Sequence, residues 1–139
     1  MDLRICIDVD DLERAIAFYT LGLGLHLGRR LDTDWAELLG AACPIDLLAN
    51  PSGSAPLGED RPERRHYGRH WTPVHLDFAV RHIDEVAQRL VGLGAVLERP
   101  IAQRRWGRMA SLADPFGHGL DLLEYQGRGY DELLQPPRG

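Results

Sequence analysis

The stretch Arg4-Ile5-Cys6-Ile7-Asp8-Val9-Asp10-Asp11-Leu12 is written a second time, in kind, as His75-Leu76-Asp77-Phe78-Ala79-Val80-Arg81-His82-Ile83. Each copy alternates apolar residues with others, the period of a half-buried strand, and then opens an amphipathic helix. The match runs on through the helix. Leu12, Ala15, Ile16 and Tyr19 answer to Ile83, Val86, Ala87 and Leu90, which stand at i, i+3, i+4 and i+7 on one helical face. Asp10 with Glu13 reads as a capping box at the start of the first helix. Gly22-Leu23-Gly24 and Gly92-Leu93-Gly94 read as the two helix ends, where glycine supplies the left-handed residue that closes a helix.

The ends of the copies also agree: Ile45-Asp46-Leu47-Leu48 is echoed by Leu120-Asp121-Leu122-Leu123. Between helix and end each copy has room for two more strands, at about 25–31 and 34–39 in the first and about 95–99 and 107–112 in the second. A strand, helix and terminal strand repeated in the same order define a duplicated unit. The fold expected is α+β, built from two βαβββ modules. They cover 1–49 and 71–125, with a linker or flap at 50–70 and a C-terminal tail at 126–139, all within one structural domain. The linker is rich in Pro, Gly, Ser and charge without periodicity. The tail carries one possible helical turn at 130–134 and is expected to be peripheral.

Composition narrows the function. The chain has 139 residues, 44% hydrophobic and 27% charged, enough for a core without a stapling disulfide or metal. A net charge of −5 argues against a nucleic-acid partner, which would need a basic stripe. Arg61, Arg64, Arg65 and Arg69 do cluster, but Glu59, Asp60 and Glu63 interleave with them. The two cysteines, Cys6 and Cys43, lack metal or redox spacing and read as reduced thiols. No signal peptide or membrane-length apolar run stands out, so a cytoplasmic protein without membrane partners is expected.

Two motifs carry a family likeness. Val9-Asp10-Asp11-Leu12-Glu13-Arg14-Ala15-Ile16-Ala17-Phe18-Tyr19 resembles the first helix of the vicinal oxygen chelate superfamily. Asp114-Pro115-Phe116-Gly117-His118-Gly119 resembles its turn into the last strand. Glyoxalase I, extradiol dioxygenases, epimerases, and fosfomycin- and bleomycin-resistance proteins belong to that superfamily. The resemblance spans about residues 3–125, linker excluded. It implies that the modules pair their sheets into a concave half-barrel around a shared cavity, with helices outside. It also implies a homodimer, since relatives often pair modules between chains. Alternation agrees with the placement. Leu3, Ile5, Ile7 and Val9 fall under the helix, as do Val74, Leu76, Phe78 and Val80. Arg4, Cys6 and Asp8, and His75, Asp77 and Ala79, fall on the other face, where the charged groups need partners or water.

In metal-dependent members the ligands come from four places, at the start of the first strand and in the last strand of each module. Those places hold Arg4, Asp46, His75 and Asp121 here. His75 matches the family pattern, Asp46 and Asp121 are carboxylates one methylene short of Glu, and Arg4 departs from it because a guanidinium has no lone pair to give. Two readings follow. In one, the cavity binds a small organic ligand with no cofactor, the metal site being degenerate, and Arg4 neutralises Asp46 or Asp121. In the other, Asp46, His75 and Asp121 hold a divalent metal (Zn, Ni, Mn or Fe) in a lyase, isomerase or dioxygenase.

Further residues are weighed on the same footing. Arg108 either clamps a ligand's carboxylate or phosphate or makes a surface salt bridge. Trp35 and Trp71 are candidate aromatic walls, with core or linker packing as the plainer account. The ligand-lining set is thus Arg4, Asp46, His75, Asp121, Arg108, Trp35 and Trp71. Glu124 is expected to be exposed at its strand end, and Cys6 to be a small buried thiol. His26, His66, His70, His82, His118 and Tyr67 are expected to have structural or solvated roles. Catalytic residues, and whether the protein is an enzyme, stay open at the level of sequence.

Overall fold

The computed structural model describes residues 1–135. The chain divides between Arg69 and His70 into two compact units, and each is one βαβββ module. The first contains β1 (Ile5–Val9), α1 (Leu12–Leu23), β2 (His26–Leu31), β3 (Trp35–Leu39) and β4 (Ile45–Ala49). The second contains β5 (Leu76–Ala79), α2 (Ile83–Gly92), β6 (Val96–Arg104), β7 (Gly107–Ala113) and β8 (Gly119–Tyr125), followed by a 3₁₀ turn at Gly129–Leu133. The sheets have the same topology, β1-β4-β3-β2 and β5-β8-β7-β6. In each, the first and last strands pair in parallel and the remaining pairs are antiparallel.

Side-chain alternation gives each sheet one face packed on its helix and one open face. In the first module Val9, Ala36, Leu38, Ile45 and Leu47 are buried with Ala15, Phe18 and Tyr19 of α1. Phe18 joins the helix core beside Tyr19, their rings edge to face at 5.0 Å, whereas Ile16 is only half-buried. In the second, Ala110, Leu112, Leu120 and Leu122 are buried with Ile83, Val86, Ala87 and Leu90 of α2. Leu3 and Val74, expected under the helices, lie ahead of the strands and are exposed.

The helix ends correct one expectation. Asp11, not Asp10, caps α1: its backbone is extended and its Oδ1 accepts from the Arg14 N–H at 3.0 Å. Glu13 pairs instead with Arg30, so no capping box forms. Gly24 closes α1 at φ 74 as expected. His82 precedes α2 without capping it through its side chain. The job falls to Glu124 on the neighbouring strand, whose Oε2 accepts from the Ile83 N–H at 3.0 Å. That corrects the expected exposure of Glu124, which is buried.

Strand β6 runs to Arg104, farther than the expected 95–99, and takes in Pro100. Register shifts on both sides of Arg99, and the strand's place at the sheet edge, accommodate a residue with no N–H to donate. The last turn is built by Asp114, whose Oδ1 accepts from the Phe116 and His118 N–H groups at 2.8 and 2.9 Å, with Gly117 at φ 85. His118 therefore belongs to turn geometry.

The 50–70 segment is anchored to the first module. Gly53 N–H donates to Arg65 O and Arg65 N–H to Ser54 O, and the Arg65 guanidinium meets Asp8 Oδ2 at 2.7 Å. The Tyr67 hydroxyl donates to Asn50 O at 2.6 Å. Of the described tail residues only Gly129 is buried. The tail's 3₁₀ turn begins at Gly129 rather than Tyr130, and the Arg105 guanidinium donates to Glu132 O at 2.7 Å. Pro136 and Pro137 lie outside the described residues.

Candidate functional site

The open face of the first module is occupied by ion pairs. Arg4 grips Asp46 with two hydrogen bonds, Nε to Oδ2 at 2.8 Å and Nη2 to Oδ1 at 2.7 Å. It also reaches Glu37 Oε2 at 2.6 Å. Arg29 meets Glu37 from the other side, Nε to Oε1 at 3.0 Å and Nη2 to Oε2 at 2.7 Å. Asp46 and Glu37 are buried, and charge-assisted two-point contacts are what a buried carboxylate needs. Arg29, then Arg4, hold the Glu37 carboxyl down at about 2. Glu37 accepts twice at each oxygen, and Asp46 accepts from Arg4 at both of its oxygens. Cys6, on the same face, is exposed rather than buried, its sulfur 4.0 Å from Asp46 Oδ2. Trp35 is half-buried, with the Arg29 guanidinium 5.9 Å from its ring centre.

The second module has a different open face. His75 stands just ahead of β5, Asp77 two residues along it, and Asp121 opposite Asp77 on β8. His75 Nε2 lies 3.1 Å from Asp77 Oδ1 and 3.4 Å from Asp121 Oδ2. One ligand atom from each of the three residues falls within 4.8 Å of the others. Oxygen and nitrogen ligands about 2.1 Å from a common ion sit roughly 3.0 to 3.4 Å apart in octahedral or tetrahedral arrangement. The two distances from His75 fall in that range, and the carboxylate oxygens lie within 4.8 Å of each other, so the three residues fit a divalent ion. His75 and Asp77 are exposed and Asp121 is buried. That gives the group a fixed base and an open side.

Of the three ligands expected from sequence, the structure brings His75 and Asp121 together and adds Asp77. Asp46 is in the other unit, held by Arg4. Arg108 also departs from the expected lining. It pairs in register with Glu124, on the helix side of the sheet. There it meets Glu124 Oε1 and Oε2 at 3.0 Å and Asp84 Oδ2 at 2.8 Å. Arg108, then the Ile83 N–H, keep the Glu124 carboxyl at about 2. Arg108 is therefore a structural counter-ion to the α2 cap, turned away from His75 and Asp121. Trp71 lies exposed ahead of β5. Sequence reading put Asp77 on the open face but did not make it a ligand, although its spacing of two from His75 is the signal. It missed Glu37 altogether. The alternation of Trp35-Ala36-Glu37-Leu38 shows that Glu37 must point away from the core, with nothing local to name its partners.

Comparison with known proteins fits this architecture. A glyoxalase-like domain model matches residues 4–123. The chain belongs to the glyoxalase-like family. It thereby falls within the vicinal oxygen chelate superfamily. Similar solved structures include a glyoxalase-related enzyme from Fulvimarina pelagi, 23% identical over 89% of this chain and 87% of that one, with a TM-score of 0.68. Another is TnmS3, an antibiotic binding protein from Streptomyces sp. CB03234, at 21% identity, 91% and 96% coverage and a TM-score of 0.61. A third is a variant of the fosfomycin resistance protein FosX from Listeria monocytogenes, complexed with Mn(II) and 1S,2S-dihydroxypropylphosphonic acid. It is 22% identical over 94% and 92% of the two chains, with a TM-score of 0.67. At these identities the likeness is one of fold. Among the described residues no helix is long and apolar enough to cross a membrane.

Proposed function

We propose that this glyoxalase-like protein binds a small organic ligand on the open face of its second module, through a divalent metal held by His75, Asp77 and Asp121. The observation that carries the reading is the spacing of those three residues, one imidazole and two carboxylates converging within 4.8 Å. Such a set suits Mn²⁺, Fe²⁺, Co²⁺, Ni²⁺ or Zn²⁺. The relative seen with Mn(II) and a phosphonic acid, and the antibiotic-binding one, support a small-molecule ligand.

A divalent ion bound there supplies Lewis acidity towards a ligand oxygen. The protein's own residues set the rest. Asp121 is buried in the sheet and Asp77 faces solvent. One carboxylate is thus rigid, while the other is free to adjust or to take a proton from a ligand hydroxyl. In the first module Arg4 fills the place from which relatives draw a ligand, and its grip on Asp46 turns that half of the expected ligand set into a structural ion pair. The metal site is degenerate by comparison with a set drawn from both modules.

A cofactor-free reading is favoured by one observation. His75 Nε2 is within hydrogen-bonding reach of Asp77, as it would be for an imidazole N–H donating to that carboxylate. Equilibrium dialysis of chelator-treated, untagged protein against Mn²⁺, Fe²⁺, Co²⁺, Ni²⁺ and Zn²⁺ in turn, followed by elemental analysis, separates the two. About one equivalent per chain, lost in His75→Ala, is expected. No uptake of any divalent ion would leave only the cofactor-free reading.

A further inference from the structure

The chain leaves the strands of the first module at Asn50 and is tied back to them at Arg65. Asn50 N–H donates to Val9 O at 2.9 Å, at the end of β1. The Arg65 backbone is held at both of its polar groups. Its N–H donates to Ser54 O at 2.9 Å, and its carbonyl accepts from the Gly53 N–H at 2.7 Å. Residues 53–65 are thus a loop closed at its own stem. Gly53, at φ +84, turns the chain into that stem in a conformation glycine adopts without strain.

One carboxylate ties both ends of this loop. Asp8 Oδ1 accepts from Asn50 Nδ2 at 3.1 Å, where the loop departs. Asp8 Oδ2 accepts from Arg65 Nε at 2.7 Å, where it returns. Arg65 Nη1 reaches across the stem to Ala55 O at 3.1 Å and Ser54 Oγ at 3.3 Å. Just beyond the stem, the Tyr67 hydroxyl donates to Asn50 O. Burial follows the bonds. Of residues 51–70, Ser54, Ala55, Arg65 and Tyr67 are half-buried and the rest are exposed. The Arg65 and Asp8 side chains are 20% and 33% exposed, so their charges are screened less than those of a surface ion pair.

We propose that Asp8 and Arg65 form a clasp that folds residues 50–67 into the first module and leaves 68–75 as the tether to the second. With the clasp shut, that tether spans at most about 30 Å. With it open, residues 50–75 span up to about 90 Å. A shorter tether raises the effective concentration of one module about the other. The clasp is therefore a conformational device that sets how far the modules of one chain can separate. It is independent of His75, Asp77 and Asp121.

Hydrogen exchange of the full chain, resolved at the amides of residues 53 and 65, tests the clasp. The native protein, Asp8→Asn, Arg65→Met and the double variant are compared, with amides of β3 and β4 as the check that the fold is kept. Arg65→Met lies outside the strands and the helix, and supplies the readout should Asp8→Asn disturb β1. Both amides are expected to be protected in the native chain. In either single variant they should exchange roughly tenfold faster or more, since a charge-assisted hydrogen bond is lost. The double variant should exchange no faster than the single ones, because one clasp is broken once. Trypsin should cut after Arg65 faster by a similar factor in Asp8→Asn than in the native chain. Free exchange at both amides of the native chain overturns the proposal. So does native protection kept in Arg65→Met, additive losses in the double variant, or unchanged cleavage after Arg65 in Asp8→Asn.

Discussion

Arg4 and His75 stand at equivalent places, each just ahead of the first strand of its module. They have opposite consequences. The guanidinium of Arg4 cannot ligate a metal, and it spends its donors on Asp46 and Glu37. The imidazole of His75 has a ring nitrogen directed at Asp77 and Asp121. Replacing Arg4 by Met should leave two buried carboxylates with Arg29 as the one remaining cation of the network. A clear drop in melting temperature is expected, partly recovered when Asp46→Asn is added, because the second change removes a charge the first left unpaired. Thermal melts of the two single variants and the double variant measure the coupling. Additive losses would show that Arg4 and Asp46 do not act as a pair.

Much of this scale was legible in the sequence. Alternation alone put Arg4, Asp77 and His75 off the core face, and the repeat aligned Asp46 with Asp121. Partner choice was not legible. Whether Arg4 goes to Asp46, and whether Glu37 joins, is set by strand register between residues more than 30 apart in the chain. Periodicity carries no information about it.

At the scale of elements, Glu124 ties a strand to a helix. Its carboxylate accepts the first N–H of α2 and both hydrogen bonds of Arg108. Sequence reading named no N-terminal cap for α2, because the capping carboxylate comes from β8, 41 residues away in the chain. The depressed carboxyl fixes the sign of a pH effect. Glu124 is held at about 2 against an ordinary 4.5, so its stabilisation is complete above about pH 4.5 and is lost as the pH falls towards 2. Glu37, also at about 2, acts in the same direction. Glu124→Gln should therefore melt lower than the native protein at pH 7, and the gap should close between pH 4.5 and 2. A gap that stays constant over that range would remove the charge from the explanation. Leu122, fully buried between β8 and α2, gives the packing counterpart. Leu122→Ala should cost about 2–5 kcal/mol in urea unfolding, with no comparable pH dependence.

At the scale of the whole molecule, the duplicated plan is kept in the backbone and abandoned on the open faces. Both modules share element order, sheet order and a parallel first-to-last strand pair. One face is filled with arginine–carboxylate pairs, and the other carries His75, Asp77 and Asp121. The repeat was readable because a core face must be apolar at fixed periods in both copies. The open faces carry no such constraint, which is why the sequence suggested one ligand set drawn from both modules where the geometry offers a set within the second. Binding energy should appear as stability. At a Mn²⁺ concentration about a hundred times its dissociation constant, unfolding should be harder by about 2.7 kcal/mol, an increment absent in Asp121→Asn.

Asp77 distinguishes a ligand set within the second module from one that uses Asp46. The decisive measurement is Mn²⁺ affinity, read by electron paramagnetic resonance of free Mn²⁺, for the native chain, Asp77→Asn and Asp46→Asn. The account predicts a loss of tenfold or more in Asp77→Asn and a change within about twofold in Asp46→Asn. Native affinity in Asp77→Asn with a large loss in Asp46→Asn would contradict it.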